Sequence, residues 1–402
     1  MERNKYQNTS KMISESKNSW RVAEEMGLAG LSVSHSSVPF MKHGAKELIN
    51  MCSCSYLGWD RHPAILEGAI KGVEKAGTLH LTTARCRLVL DVLKELESEL
   101  SVHFGGTAVI YNSCAAASSA ALPLLASGCL TRGVKPIMAF DRFAHFSIAH
   151  MKPLCGDETE VVTLPNNDMD QLESLCQKHD QVAYISDATY SISGHANFSA
   201  LKELQRKYGL FLYLDDSHGL SITGSRGEGS ALQALGRPND RTILVASLAK
   251  AYGGAGGLLL SGIEDIRGLV SKYGNAWSQY LNTAGIGGCL ASLKLHQSDE
   301  LANAQAKWRR NLRVFDSNFK TQGAGSMSPI RILPVGGPSD AVMMASEVLN
   351  EGYYTSAVFF PVVAKGGAAL RLMPRADLTE RQMQEFCNVL ADAKARLSME
   401  GE

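Results

Sequence analysis

From about residue 100 the chain repeats one pattern: a short apolar run rich in β-branched and aromatic residues, a turn, then a stretch with helical spacing. The runs fall at 108–111, 137–140, 161–164, 182–187, 210–215 and 242–247, and 257–262 is a further candidate. They are apolar at successive positions rather than alternate ones, which suits strands buried on both faces. The helical pattern is clearest over 198–208, where Leu201, Leu204 and Tyr208 share one side and Lys202, Arg206 and Lys207 the other. Strands alternating with helices predict an α/β domain whose mainly parallel sheet is covered on both faces.

The flanks differ. Residues 18–26 read as a helix and 46–52 as a short strand. His62-Pro63 opens a helix whose apolar face is Ile65, Leu66, Ala69, Ile70 and Val73, with Gly77 as its stop. Beyond residue 290, charged helical stretches at 292–319 and 340–351 alternate with short strand-like runs near Ile330 and at 369–373. A final helix starts at the capping box Thr379-Glu380-Arg381-Gln382 and buries Met383, Phe386, Val389 and Leu390. The expected organisation is an N-terminal segment 1–60, a large domain 61–290 and a smaller α+β domain 291–402.

Composition narrows the partners. Lys plus Arg (40) balances Asp plus Glu (40), and no basic stripe offers a footprint for nucleic acid or an anionic membrane. No apolar run reaches the roughly 18 residues of a membrane span. Residues 1–20 are polar and lack the apolar stretch of a secretory signal, so a cytoplasmic protein is expected. The nine cysteines form no CxxC pair, and Cys52 and Cys54 have no partner at zinc spacing, so reduced thiols and no metal are expected.

Three places carry chemistry. The apolar run 210–214 ends in Asp215-Asp216-Ser217-His218-Gly219, and ligands of open α/β sheets bind beyond the carboxyl ends of strands. The next run leads into Ser247-Leu248-Ala249-Lys250 and then Gly253-Gly254. A lysine leaving a buried strand among small residues is placed to approach a bound group. Upstream, Tyr111-Asn112-Ser113-Cys114-Ala115 turns a strand end into a helix of small residues, a natural anion site. Alone, Lys250 reads as a solvated loop lysine and Asp215 as a turn residue. Together, 35 residues apart on successive strand ends, they read as a site.

These segments resemble the fold-type I pyridoxal 5′-phosphate (PLP) enzymes, specifically the α-oxoamine synthases, a group that includes 8-amino-7-oxononanoate synthase and serine palmitoyltransferase. The resemblance covers roughly residues 45–395. It rests on Tyr56-Leu57-Gly58, Asp141-Arg-Phe-Ala-His145, Tyr190-Ser191-Ile-Ser-Gly194, Asp215-Asp-Ser-His218-Gly219, Gly224-Ser-Arg-Gly227-Glu-Gly229, Ser247-Leu-Ala-Lys250 and Leu370-Arg371-Leu372. Ser-Leu-Ala-Lys and Asp187-Ala-Thr-Tyr-Ser191 also resemble the autoinducer-synthase branch. The resemblance implies a seven-stranded sheet, a homodimer, and a Schiff base between PLP and Lys250, which then moves the Cα proton. It assigns Asp215 to the ring nitrogen, His218 and Ser191 to the ring oxygen, and His145 to the ring face. Ser113, Ser247 and the N–H groups of Cys114 and Ala115 take the phosphate, with Thr283 of a second subunit. Arg371, with Tyr56, receives the substrate carboxylate.

The implied reaction is decarboxylative condensation of a small α-amino acid with an acyl-CoA or other acyl thioester, giving an α-aminoketone. The sequence departs from the family pattern where Cys54-Ser55 precedes Tyr56, at 77–85, and at Asn282-Thr283-Ala284. The first two segments help shape substrate and acyl-CoA sites in the family. An aminotransferase or other PLP enzyme without acyl transfer, and a non-catalytic subunit, are therefore the alternatives. Retention of Lys250, Asp215 and His218 argues against the last.

Overall fold

All seven apolar runs enter one sheet. Strands β1 (Thr107–Tyr111), β2 (Ile137–Asp141), β3 (Val161–Leu164), β4 (Val182–Asp187), β5 (Phe211–Asp215), β6 (Thr242–Ser247) and β7 (Gly257–Ser261) lie in the order β1-β7-β6-β5-β4-β2-β3. Neighbours are parallel except at β7, which is antiparallel to both β1 and β6. The computed structural model describes residues 9–192, 194–359, 363 and 367–400. The chain divides into two units, one holding 59–191 and 195–302, the other 9–58 with the described residues of 303–402.

Burial explains the unbroken apolar runs. Tyr184, Leu212, Leu214 and Leu244 join one core layer. Their chain neighbours Ala183, Ile185, Tyr213 and Val245 join the layer on the other face. Strand side chains alternate between faces, so a sheet covered twice demands apolar residues at every position.

Helix α1 (Pro63–Ala76) starts after His62, whose side chain accepts the Ala64 N–H, and stops at Gly77 with φ +67°. Its packing corrects the sequence reading. Leu66 and Ile70 are 52% and 61% exposed, while Ile65 and Gly72 are buried. The packed face is the glycine face, set against α5 (Thr283–His296). A Cβ at Gly72 would lie 2.3 Å from Thr283 O, and one at Gly287 2.2 Å from Gly68 O. The two backbones touch, so large side chains are forced off that face. Helices α2 (Asp91–Phe104), α3 (Cys114–Ala126) and α4 (Phe198–Tyr208) lie in the same unit.

The stretch 292–319 is two helices, not one. Helix α5 ends at His296, and the next helix, Asp299–Asn318, begins after Ser298, whose Oγ accepts the Glu300 N–H at 3.3 Å. Helix-favouring residues on both sides hid this serine start.

The second unit has a three-stranded antiparallel sheet, Arg331–Gly336, Ala368–Leu372 and Ser356–Val358, with Ala368–Leu372 central. A second sheet pairs Tyr353–Tyr354 in parallel with Lys46–Asn50, so residues 9–58 join the C-terminal part rather than standing apart. The last helix, Glu380–Glu400, has the reciprocal cap read from sequence: Gln382 N–H to Thr379 Oγ1 at 3.2 Å and Thr379 N–H to Gln382 Oε1 at 2.9 Å. Among the described residues no helix is long and apolar enough to cross a membrane.

Candidate active site

The parallel strands end along one edge of the sheet, and the candidates of the first unit emerge from it. Beyond β1 lies Ser113, beyond β2 His145, beyond β4 Ser191, beyond β5 Asp215 to His218, and beyond β6 Lys250. Strand β7 starts at the same edge, with Gly257 paired to both Tyr111 and Ser247.

Lys250 and His218 meet, with Nζ 3.0 Å from Nε2. His218 is buried and Lys250 half-buried. Asp215, 4% exposed, accepts the Ser217 N–H on Oδ1 at 2.9 Å, and Cys114 Sγ lies 3.5 Å from Oδ2. No Lys or Arg forms an ion pair with Asp215 among the described residues. Asp216 is turned to other work. It accepts the Ala231 N–H at 2.8 Å and the Thr189 hydroxyl at 3.3 Å, and burial pushes its carboxyl up to about 7. Of the two aspartates, Asp215 is the one directed to the start of α3.

That start is built closely. Ser113 caps α3 by accepting the Ala116 N–H at 3.1 Å. The N–H groups of Cys114 and Ala115 fall in the first turn, where no carbonyl four residues back is available. Strand β7 passes directly against it: a Cβ at Gly257 would lie 2.3 Å from Ser113 C and 2.4 Å from Cys114 N. Ser247 donates its N–H to Ser217 Oγ at 2.7 Å, tying the end of β6 to the turn after β5.

His145 is exposed and opens a short helix. Its backbone N–H donates to Asp187 Oδ1 at 2.8 Å. Nδ1 accepts the Ser147 N–H at 3.3 Å and lies 2.9 Å from the Ser147 hydroxyl, which assigns the ring proton to Nε2. Asp187 pairs in register with Asp215 across β4 and β5. Burial first, then the charge of Asp215, holds the Asp187 carboxyl well above the usual carboxylate range. Ser191 is half-buried at the end of the turn after β4.

Thr283, at the start of α5, has a hydrogen-bonding role within its own chain. It is fully buried within its own chain, and its hydroxyl donates to Thr78 O at 2.6 Å. The hydroxyl holds segment 78–79 of the same chain.

Tyr56 and Arg371 belong to the second unit. Tyr56 is fully buried with φ +45°, and burial raises its phenol well above the ordinary value while the Arg371 charge opposes the rise. Arg371, half-buried, sits opposite Ile332 and Ser356 in the three-stranded sheet.

Sequence reasoning gave no role to Asp187 or Ser217. Asp187 carried the signal that marked Asp215, an acid closing an apolar strand. Ser217 had none, because its part depends on the fold of the turn.

A buried carboxylate without an ion pair, an amine held by a buried imidazole, and a serine-capped helix start on one sheet edge fit PLP. They offer an anion for a protonated ring nitrogen, an amine for the aldehyde carbon and N–H donors for a phosphate. The comparisons agree. The profile of the aminotransferase class I and II family matches residues 46–390. The 8-amino-7-oxononanoate synthase of Geobacter sulfurreducens is 29% identical over 356 residues, covering 86% of this chain and 88% of that protein. The serine palmitoyltransferase of Bacteriovorax stolpii is 28% identical, covering 87% and 83%. The structure of Sphingomonas wittichii serine palmitoyltransferase superposes with a TM-score of 0.83 at 16% identity, covering 96% of this chain and 99% of that one. At that identity the likeness concerns the fold. The chain belongs to the aminotransferase class I and II family, in its α-oxoamine synthase group, and its cofactor is pyridoxal 5′-phosphate.

Proposed function

We propose that the protein condenses a small α-amino acid with an acyl thioester, releasing CO₂ and the free thiol and leaving an α-aminoketone. The observation that carries this reading is the Lys250–His218 pair, 3.0 Å apart, on the same strand-end edge as buried Asp215. Two relatives matched over most of the chain, 8-amino-7-oxononanoate synthase and serine palmitoyltransferase, support it.

When bound, PLP draws electrons from Cα of the amino acid joined to it. Lys250 would take the Cα proton, and His218 would keep the amine in place. Asp215 would hold the ring nitrogen. In the overall exchange a bond forms from Cα to the thioester carbonyl carbon as the thiolate leaves, the carboxylate is lost as CO₂, and a proton returns to Cα. His145, with its ring proton on Nε2, is the proposed donor to the oxyanion that develops on the carbonyl oxygen. Ser113, the Cys114 and Ala115 N–H groups and Ser247 hold the phosphate. Ser191 serves the ring oxygen, and Arg371 with Tyr56 the substrate carboxylate.

The working form is proposed to be a cytoplasmic homodimer. Exposed Leu66, Ile70, Leu79, Leu88 and Trp277 on the first unit support a second copy. The test is a panel of amino acids and acyl-CoAs assayed for CO₂ and free CoA. Release of both, only when both substrates are present, is expected. Accumulation of pyridoxamine phosphate without CoA release would instead establish an aminotransferase.

A further inference from the structure

The helix start that carries Ser113 also sets a thiol against Asp215. Cys114 Sγ lies 3.5 Å from Asp215 Oδ2. The Ser217 hydroxyl donates to Cys114 Sγ at 3.7 Å, and the Ser247 N–H donates to Ser217 Oγ at 2.7 Å. The donors form a chain: Ser247 to Ser217, Ser217 to Cys114, Cys114 to Asp215. Burial, and then the charge of Asp215, hold the Cys114 thiol well above its ordinary value. The sulfur therefore keeps its proton and acts as a donor, not as a nucleophile.

We propose that Cys114 is a positioning residue whose thiol, backed by Ser217, holds Oδ2 of Asp215 and through that contact tunes the proton affinity of the bound cofactor. The proposal rests on the reading that Asp215 serves the ring nitrogen. A donor to a carboxylate stabilises its charge and so opposes protonation of anything that shares that charge. Oδ1 already holds the Ser217 N–H at 2.9 Å. Among the described residues Oδ2 meets a thiol, a weak donor that tempers the oxygen without satisfying it. A carboxylate so arranged keeps acceptor capacity for a stronger, cationic partner.

The test is a pH titration of the visible absorbance of the PLP-loaded protein, with circular dichroism to verify the fold of each variant. Cys114→Ala removes the donor and is expected to raise the midpoint by roughly half a unit or more, since hydrogen bonds to charged groups are worth pKa shifts of that order. Ser217→Ala is expected to move it the same way by less. Cys114→Ser keeps a donor and is expected to restore the midpoint to the unmodified value or below. Asp215→Asn removes the charge and is expected to lower it. A midpoint unchanged or lowered in Cys114→Ala overturns the role of Cys114. An unchanged midpoint in Asp215→Asn overturns the assignment of Asp215 instead, so the two failures are distinguishable.

Discussion

Gly257→Ala tests whether the close passage of β7 against the start of α3 maintains the phosphate end of the site. The added methyl would stand 2.3 Å from Ser113 C and 2.4 Å from Cys114 N, both backbone atoms that cannot rotate away. Ordinary contact begins near 3.4 Å, so the strand or the helix start must withdraw by about 1 Å. Overpacking of this kind costs about 1–3 kcal/mol. If roughly half of that, about 0.5–1.5 kcal/mol, falls on the geometry of the Cys114 and Ala115 N–H groups, PLP affinity drops about two- to tenfold. The assay is titration of the apoprotein with PLP, followed by visible absorbance, beside a thermal melt. Gly288→Ala on α5 is the control, because its methyl would meet nothing closer than Ile65 at 3.6 Å. A Gly257→Ala protein that folds and binds PLP as tightly as the control would refute the reasoning.

Two further perturbations follow from the same structure. Gly72→Ala, whose methyl would lie 2.3 Å from Thr283 O, is expected to lower stability by about 1–3 kcal/mol through the α1–α5 contact, measurable as a drop in Tm. His296 is buried with Nε2 2.8 Å from the Ser221 hydroxyl and Nδ1 2.9 Å from Ser292 O, and burial pushes its imidazole down from 6.5 to about 4. Below pH 6.5 the unfolded chain therefore binds a proton that the folded one refuses, and stability falls as pH drops from about 6.5 to 4, by up to about 3 kcal/mol. Urea unfolding at several pH values should show a shallower acid loss in His296→Gln than in the unmodified protein; equal slopes would rule the histidine out as the source.

The sheet was legible because its strands are buried on both faces, which leaves a one-dimensional record: apolar at successive positions over 182–185 and 243–246, with an acid closing the first strand at Asp187. Lys250 and Asp215 became legible through their places after such strands. What the sequence left out depended on contacts between distant segments. The face of α1 is chosen by Gly68 and Gly72 meeting Gly287, and glycines carry no hydrophobic signal. The Thr283 hydroxyl is consumed by a carbonyl more than two hundred residues away, which no local pattern records. The pairing of Tyr353 with Ile49, which ties residues 9–58 to the C-terminal part, is equally nonlocal. Cys114 entered the sequence reading only through its N–H, and the fold alone set its sulfur beside Asp215.

Lys250 remains the residue on which the account turns. The PLP-loaded protein can be reduced with borohydride, digested, and its peptides weighed. A pyridoxyl phosphate adduct on Lys250 alone is the predicted result. An adduct on a different lysine, or none in a protein that has bound PLP, would contradict the account.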